Sequence, residues 1–547
     1  MFQTNYVNTL LKGLDPFHQK SLLLRPGQFI NGEIVKIYPG QLASIRLRGV
    51  TLTAKLEASL IAGSRYWFQV QPKEGLPVLK VFGDGVGDDK IPQQLSLNSK
   101  LNERVVKSLV QADLPFTRDQ VVRGAEMLQS VGMADEQGLS ILRLLVKKNL
   151  PITPATTKAL HSMSIGQGFA AHLDELLYLL KSEKIKEPLL VQVQQVLETI
   201  TTKGNIKVDQ HIILDLLRTY IKDDTKAVQS EEARLLLQKL GIIEQQSPKE
   251  VVAQFKETIT KTDEAHLKQI WPILVREQIL LQLTNGKIDD LLTKVVLEKN
   301  EDGERTLQQL LSLFNAKGDK SLLSSVFQQE ETVGKQLTSI IQQIGFQHER
   351  NARQFFLFKD QNSETFLTQL KALLIKSQQI QLPSSIESKI EAIINQITGQ
   401  QLLSINQEGP MVHQSVMIPL KLFGETTDLT IQWEGKKEQD GKFNPDHCRI
   451  LFYLHLRKIK DTVIDVQIQK RIVSLQIYNE FDKPEALINV FLPYLKKSLT
   501  KLNYQISSLK WTQPKQSQKN NNKSNPVSPV NRLYQPHRQY QGVDIRI

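Results

Sequence analysis

The chain reads as multidomain: a small N-terminal β-barrel, a long all-α middle and a C-terminal α+β domain with a ββαβ core. Three observations carry that reading. Two-residue apolar alternation dominates both ends of the chain, three- and four-residue apolar spacing fills the centre, and turn pairs such as Pro26-Gly27 and Pro39-Gly40 punctuate the first alternating part. At 547 residues the chain exceeds one ordinary core and fits about three or four folding units. Hydrophobic content of 40% and charged content of 23% exclude a wholly disordered chain, and aromatic content of 6% favours helices packed through aliphatic stripes.

Residues 1–25 form a helical lead, and residues 26–83 form the barrel, of SH3-like or OB-like kind. Its strands are the runs at residues 29–35, 42–47, 50–56, 66–70 and 78–82, separated by turns at Pro39-Gly40 and Arg48-Gly49. Residues 84–100 are a linker. The glycines at 83, 85 and 87 lack the following Lys-Ser/Thr of a phosphate loop, and the neighbouring aspartates would repel phosphate.

Residues 101–404 are helical. Leu114-Pro115-Phe116-Thr117 and Leu150-Pro151-Ile152-Thr153 recur 36 positions apart, each threonine placed to cap the next helix. Later stripes run through Leu173, Leu176, Leu177 and Leu180, through Leu307 to Phe314, and through Leu367 to Leu374, with the last helix ending before Gly399. Residues 405–511 return to alternation. A hairpin spans 412–433 across Gly424, a strand runs from Cys448 to Leu456, and a second hairpin pairs 463–468 with 472–477 about the turn Gln469-Lys470-Arg471. A helix then begins at Pro484, with Pro493 expected to kink it, and Tyr504 to Trp511 closes as a strand. Residues 512–547 are a basic low-complexity tail.

The net charge of +12 points to an acidic partner: nucleic acid, an anionic membrane or an acidic protein. The single cysteine, Cys448, forms no internal disulfide and no multi-cysteine zinc site, which fits a reducing cytosol. No apolar run reaches the length of a membrane span and no secretory signal opens the chain. The expectation is a cytoplasmic protein, open to export only by a machine that reads another signal. No nucleotide-binding, metalloprotease or hydrolase motif appears, so the chain is expected to be no enzyme and to carry no cofactor. Asp446, His447, Cys448 and His455 do not converge on one ion, because neighbours on a strand point to opposite faces. A nucleic-acid reading draws on Tyr66, Trp67 and Phe68 in the barrel as base-stacking groups and on the basic tail.

The order of strand 451–456, loop, hairpin 461–478, helix 484–501 and strand 506–509 resembles the C-terminal domain of flagellar hook-length control proteins. Pro26-Gly27-Gln28, Leu56-Glu57 and the run Gly63 to Val70 resemble the β-rich N-terminal module of hook-length-control-like proteins of Firmicutes. The resemblance implies a non-enzymatic protein of a flagellar-type type III secretion system that binds the export-gate protein. It assigns the contact to the loop at residues 457–461 and the exposed face of the hairpin, with Arg457, Lys458, Lys460 and Asp461 as the partner-binding residues. The family loop reads Leu-x-Pro-x-x-Leu-Gly; here Leu456 stands for the proline and Lys460 for the glycine.

Overall fold

The computed structural model describes residues 24–81, 95–261, 333–404 and 411–513, apart from short stretches inside those ranges. The helical lead, the glycines at 83–87, the stripe at 307–314 and the tail beyond 513 lie outside the described residues.

Five strands make the N-terminal barrel: β1 Gln28–Tyr38, β2 Leu42–Leu47, β3 Val50–Leu56, β4 Arg65–Gln71 and β5 Val78–Val81. They close in the order β1-β2-β3-β5-β4-β1, antiparallel except for the parallel pair β3–β5. β1 serves two neighbours. Its first half pairs with β4 and its second with β2, and a register shift between Ile34 and Lys36 bends the strand between them. Alternation then sorts the side chains, and Ile30, Ile34, Ile45, Leu56, Phe68 and Leu79 fill the interior.

The helical region opens with α1 Lys100–Gln111, the short strand β6 Phe116–Thr117, α2 Arg118–Ser130, α3 Glu136–Lys147 and α4 Pro154–Ser162. The duplicated motif has one structural job in both copies. The preceding helix ends at Asp113 or Asn149, both with positive φ, and the N–H of Leu114 or Leu150 donates five residues back to Leu109 or Leu145. Thr117 and Thr153 then cap the next helix in reciprocal boxes with Gln120 and Thr156.

Next come α5 Phe169–Ser182, α6 Pro188–Gly204, β7 Asn205–Ile206, α7 Gln210–Ile221, α8 Val228–Lys239 and α9 Pro248–Lys261. After residue 333 follow α10 Val333–Ile344, α11 His348–Phe358, α12 Leu370–Ser377 and α13 Ser384–Ser404. Gly399 does not end α13, which continues to Ser404. A Cβ at 399 would strike the Ala159 carbonyl and Met163, so this glycine lets α13 approach α4 closely.

Among the described residues the C-terminal sheet has seven strands in the order β13-β12-β11-β10-β9-β8-β7. Five of them, β8 Met411–Leu422, β9 Glu425–Lys437, β10 Phe443–Leu456, β11 Lys460–Gln469 and β12 Ile472–Asn479, form an antiparallel meander. α14 Glu485–Lys501 then crosses over to β13 Gln505–Thr512, which runs parallel to β12. α14 continues unbroken through Pro493. At the other edge β7 adds a second parallel pair with β8.

These layers share a core. α5, α6, α10 and α13 pack on β8, and one continuous buried cluster runs from Phe29 and Trp67 through the helices to Val416, Ile418, Leu429 and Ile431. The helical region up to Ser404 and the α+β region from Met411 therefore belong to a single packed body. Among the described residues no helix is long and apolar enough to cross a membrane.

Candidate nucleic-acid interface

The three consecutive barrel aromatics are the natural base-stacking candidates, and the structure gives them other work. Phe68 points into the barrel core. Trp67 points outward but is only 6% exposed, because β6 pairs with the start of β1 and lays Phe116 against it. The Trp67 and Phe116 rings lie 5.7 Å apart, and Phe29 stacks on Phe116 at 5.4 Å. Tyr66 is half-buried on the barrel core. Trp67 and Phe68 are thus closed to a ligand.

What remains open is the opposite side. The outer positions of β1, β2 and β3 carry Lys36 beside Ser44, Ser44 beside Thr53, Arg46 beside Thr51 and Leu42 beside Lys55. Lys36, Arg46, Thr51, Thr53 and Lys55 are exposed. Tyr38, at the end of β1, is 40% exposed and lies beneath the Lys36 ammonium, 5.4 Å from ring centroid to Nζ. Arg46 faces Glu33 at 3.6 Å, an exposed pair that solvent screens. Three cations, hydroxyls and one open aromatic ring on a strand surface can contact phosphates and stack a base. Sequence reasoning missed Tyr38. Its place beside the Pro39-Gly40 turn, at the mouth of the β1–β2 loop, was the available signal.

The hairpin loop at 457–461 sits far away in sequence, at the end of the C-terminal sheet. Leu456 pairs with Lys460 and His455 with Asp461, so the chain reverses between Leu456 and Lys460. Arg457 and Lys460 are exposed, and Lys458 lies outside the described residues. Asp461 is half-buried and hydrogen-bonded to His455 Nδ1 at 2.6 Å. Lys460, which stands for the glycine of the resembled loop, holds a φ of +55°, a conformation that favours glycine. The loop is braced by a residue that sequence reasoning passed over. Buried Asn479 donates through Nδ2 to the Ile459 carbonyl and to Thr462 Oγ1, each at 2.8 Å, while its Oδ1 accepts from the Phe481 N–H at 2.8 Å. Cys448 is buried, and burial together with nearby Asp446 pushes its thiol up to about 11, so it is protonated and inert at neutral pH.

Residues 6–80 match the family described as the TP0910 S1-like domain, a stretch that takes in all of β1 to β4 and most of β5. A protein of Bacillus subtilis (strain 168), "Uncharacterized protein YlqG", is 22% identical over 558 residues, covering 93% of this chain and 91% of its own length. No solved structure matches the chain.

Proposed function

We propose that this is a non-enzymatic binding protein whose barrel takes single-stranded nucleic acid along the outer face of β1, β2 and β3. The supporting observation is the exposed set Lys36, Tyr38, Arg46 and Lys55 on a barrel closed in the order 1-2-3-5-4. That is the order of an OB-type barrel, in which the β2–β3 face and the β1–β2 loop take oligonucleotides. The match to an S1-like family over the same residues supports it independently.

The test is titration of the full chain with a labelled single-stranded oligonucleotide at several salt concentrations. Binding should weaken as salt rises. A Lys36→Glu, Arg46→Glu, Lys55→Glu variant should bind at least about tenfold more weakly, and its log–log salt slope should be shallower by about 2, three phosphate contacts fewer. An unchanged affinity and slope in that variant would sink the reading.

A second reading rests on the C-terminal unit, whose strand, loop, hairpin, helix and strand follow the order that the hook-length control resemblance implies. In it, Arg457, Lys458, Lys460 and Asp461 meet an export-gate protein. Reversing Arg457 and Lys460 should then abolish capture of the gate's cytoplasmic domain while leaving oligonucleotide binding intact.

A further inference from the structure

One corner of the C-terminal sheet gathers features that neither reading uses. The turn between β11 and β12 consists of Lys470 and Arg471, both with positive φ, at 50° and 64°. Two-residue hairpin turns of that kind favour Asn-Gly, since non-glycine residues are strained there. This turn instead holds two exposed cations. The end of α14 meets the same corner: the Gln505 N–H donates to the Arg471 carbonyl at 2.9 Å, and Arg471 lies 5.9 Å from the Tyr504 ring.

Two aliphatic side chains stand in solvent at this corner, Ile472 at 51% and Leu502 at 64% exposure, and Leu495, 39% exposed, lies two turns back along α14. Leu495 and Leu502, the residue that caps the end of α14, are seven positions apart, hence on about the same side of the helix and about 10 Å apart. Lys496 and Lys501, both exposed, lie to either side of that face. Arg471 is also paired with Asp446 at 3.1 Å.

We propose that this corner is a docking tip for the surface of an anionic lipid bilayer. A protein helix needs a groove, whereas here a hairpin turn and a helix end protrude with aliphatic rather than aromatic tips. A nucleic acid would be served by the cations but not by exposed Ile472, Leu495 and Leu502. An acyl boundary takes the aliphatics, and acidic headgroups take the surrounding lysines and arginine. The strain kept at Lys470 and Arg471 then has a use, because those two charges lead the approach.

The experiment is co-sedimentation of the full chain with phosphatidylcholine vesicles, with and without about a third phosphatidylserine. Expected is sedimentation with the phosphatidylserine vesicles alone. An Ile472→Ser, Leu502→Ser variant should lower the partition coefficient about tenfold. Replacing Lys470 by Asn and Arg471 by Gly supplies a better turn. That variant should fold at least as well yet partition about twenty-five-fold less, at about fivefold per lost charge. Failure to sediment with phosphatidylserine vesicles overturns the proposal. So does sedimentation indifferent to both variants, which would assign it to another part of the chain. A response to the charge variant alone would mark a purely electrostatic partner, and the lipid tip would again be wrong.

Discussion

Asp428 shows how much a single residue can hold across the fold. Helix α5 starts after Gly168, which has no side chain to cap it. The cap comes from β9 instead: Asp428 Oδ1 accepts from the Ala170 N–H at 2.8 Å. A Cβ at 168 would lie 2.5 Å from Asp428 Oδ2, so glycine is what permits this approach. Burial pushes the Asp428 carboxyl up from 3.8 to about 6, against the helix N–H groups that favour its charge, and Asp174 adds repulsion. Between pH 4 and 6 the folded state therefore holds a proton that the unfolded chain has released, and stability falls as pH rises through this window. Asp428→Asn keeps an acceptor for Ala170 without the charge. It should flatten the melting temperature between pH 4 and 7 and stabilise the protein by about 1–2 kcal/mol at pH 7, the figure discounted because the residue is only half-buried. Thermal melts at pH 4, 5.5 and 7 check this; a variant that tracks the parent at every pH removes the explanation. No local pattern could have disclosed the cap, since its two halves are 258 positions apart.

At the scale of elements, local signals were legible and cross-strand ones were not. The capped turns at Thr117 and Thr153 are complete within a few residues, so their motif can be read from sequence. The alternation of 463–468 and 472–477 likewise locates β11 and β12. Gly399 misleads for the opposite reason: whether a glycine stops a helix or admits a neighbour depends on a partner helix elsewhere. The C-terminal sheet holds a further cross-strand feature. Arg449 of β10 donates through Nε and Nη2 to both carboxylate oxygens of Asp465 on β11, at 2.9 and 2.7 Å, and Glu434 of β9 lies 3.7 Å from the same guanidinium. All three belong to the interior of the sheet, so the pair ties register more than it adds stability. Asp465→Ala should cost about 3–5 kcal/mol by leaving a buried cation, while Arg449→Met with Asp465→Leu should recover most of that loss. Denaturant unfolding of both variants checks it; equal losses would mean that the charge pair is not the source.

For the whole molecule, the order of barrel, helices and sheet follows from apolar periodicity, but their union does not. A stripe of leucines reveals that a helix face is buried and says nothing of what buries it, so the core shared from Trp67 to Ile431 is a fact of tertiary packing alone. The same ambiguity misdirects the aromatic reading: Trp67 alternates outward as a ligand-binding residue would, and only Phe116, some fifty positions later, closes it off. This arrangement makes a separable prediction. Phe116 is fully buried between Phe29 and Trp67 on the barrel side and α2 on the other, and Phe116→Ala should cost about 3–5 kcal/mol. The loss should fall on the seam, so amide exchange should accelerate in β1, β4 and β6 before it does in the C-terminal sheet. Nucleic-acid affinity should nevertheless survive at temperatures where the variant is folded, because Lys36, Tyr38, Arg46 and Lys55 lie across the barrel from the seam. If affinity instead collapses while β2 and β3 keep their exchange protection, the ligand uses the aromatic seam, and the barrel would have to swing off the helices to bind it.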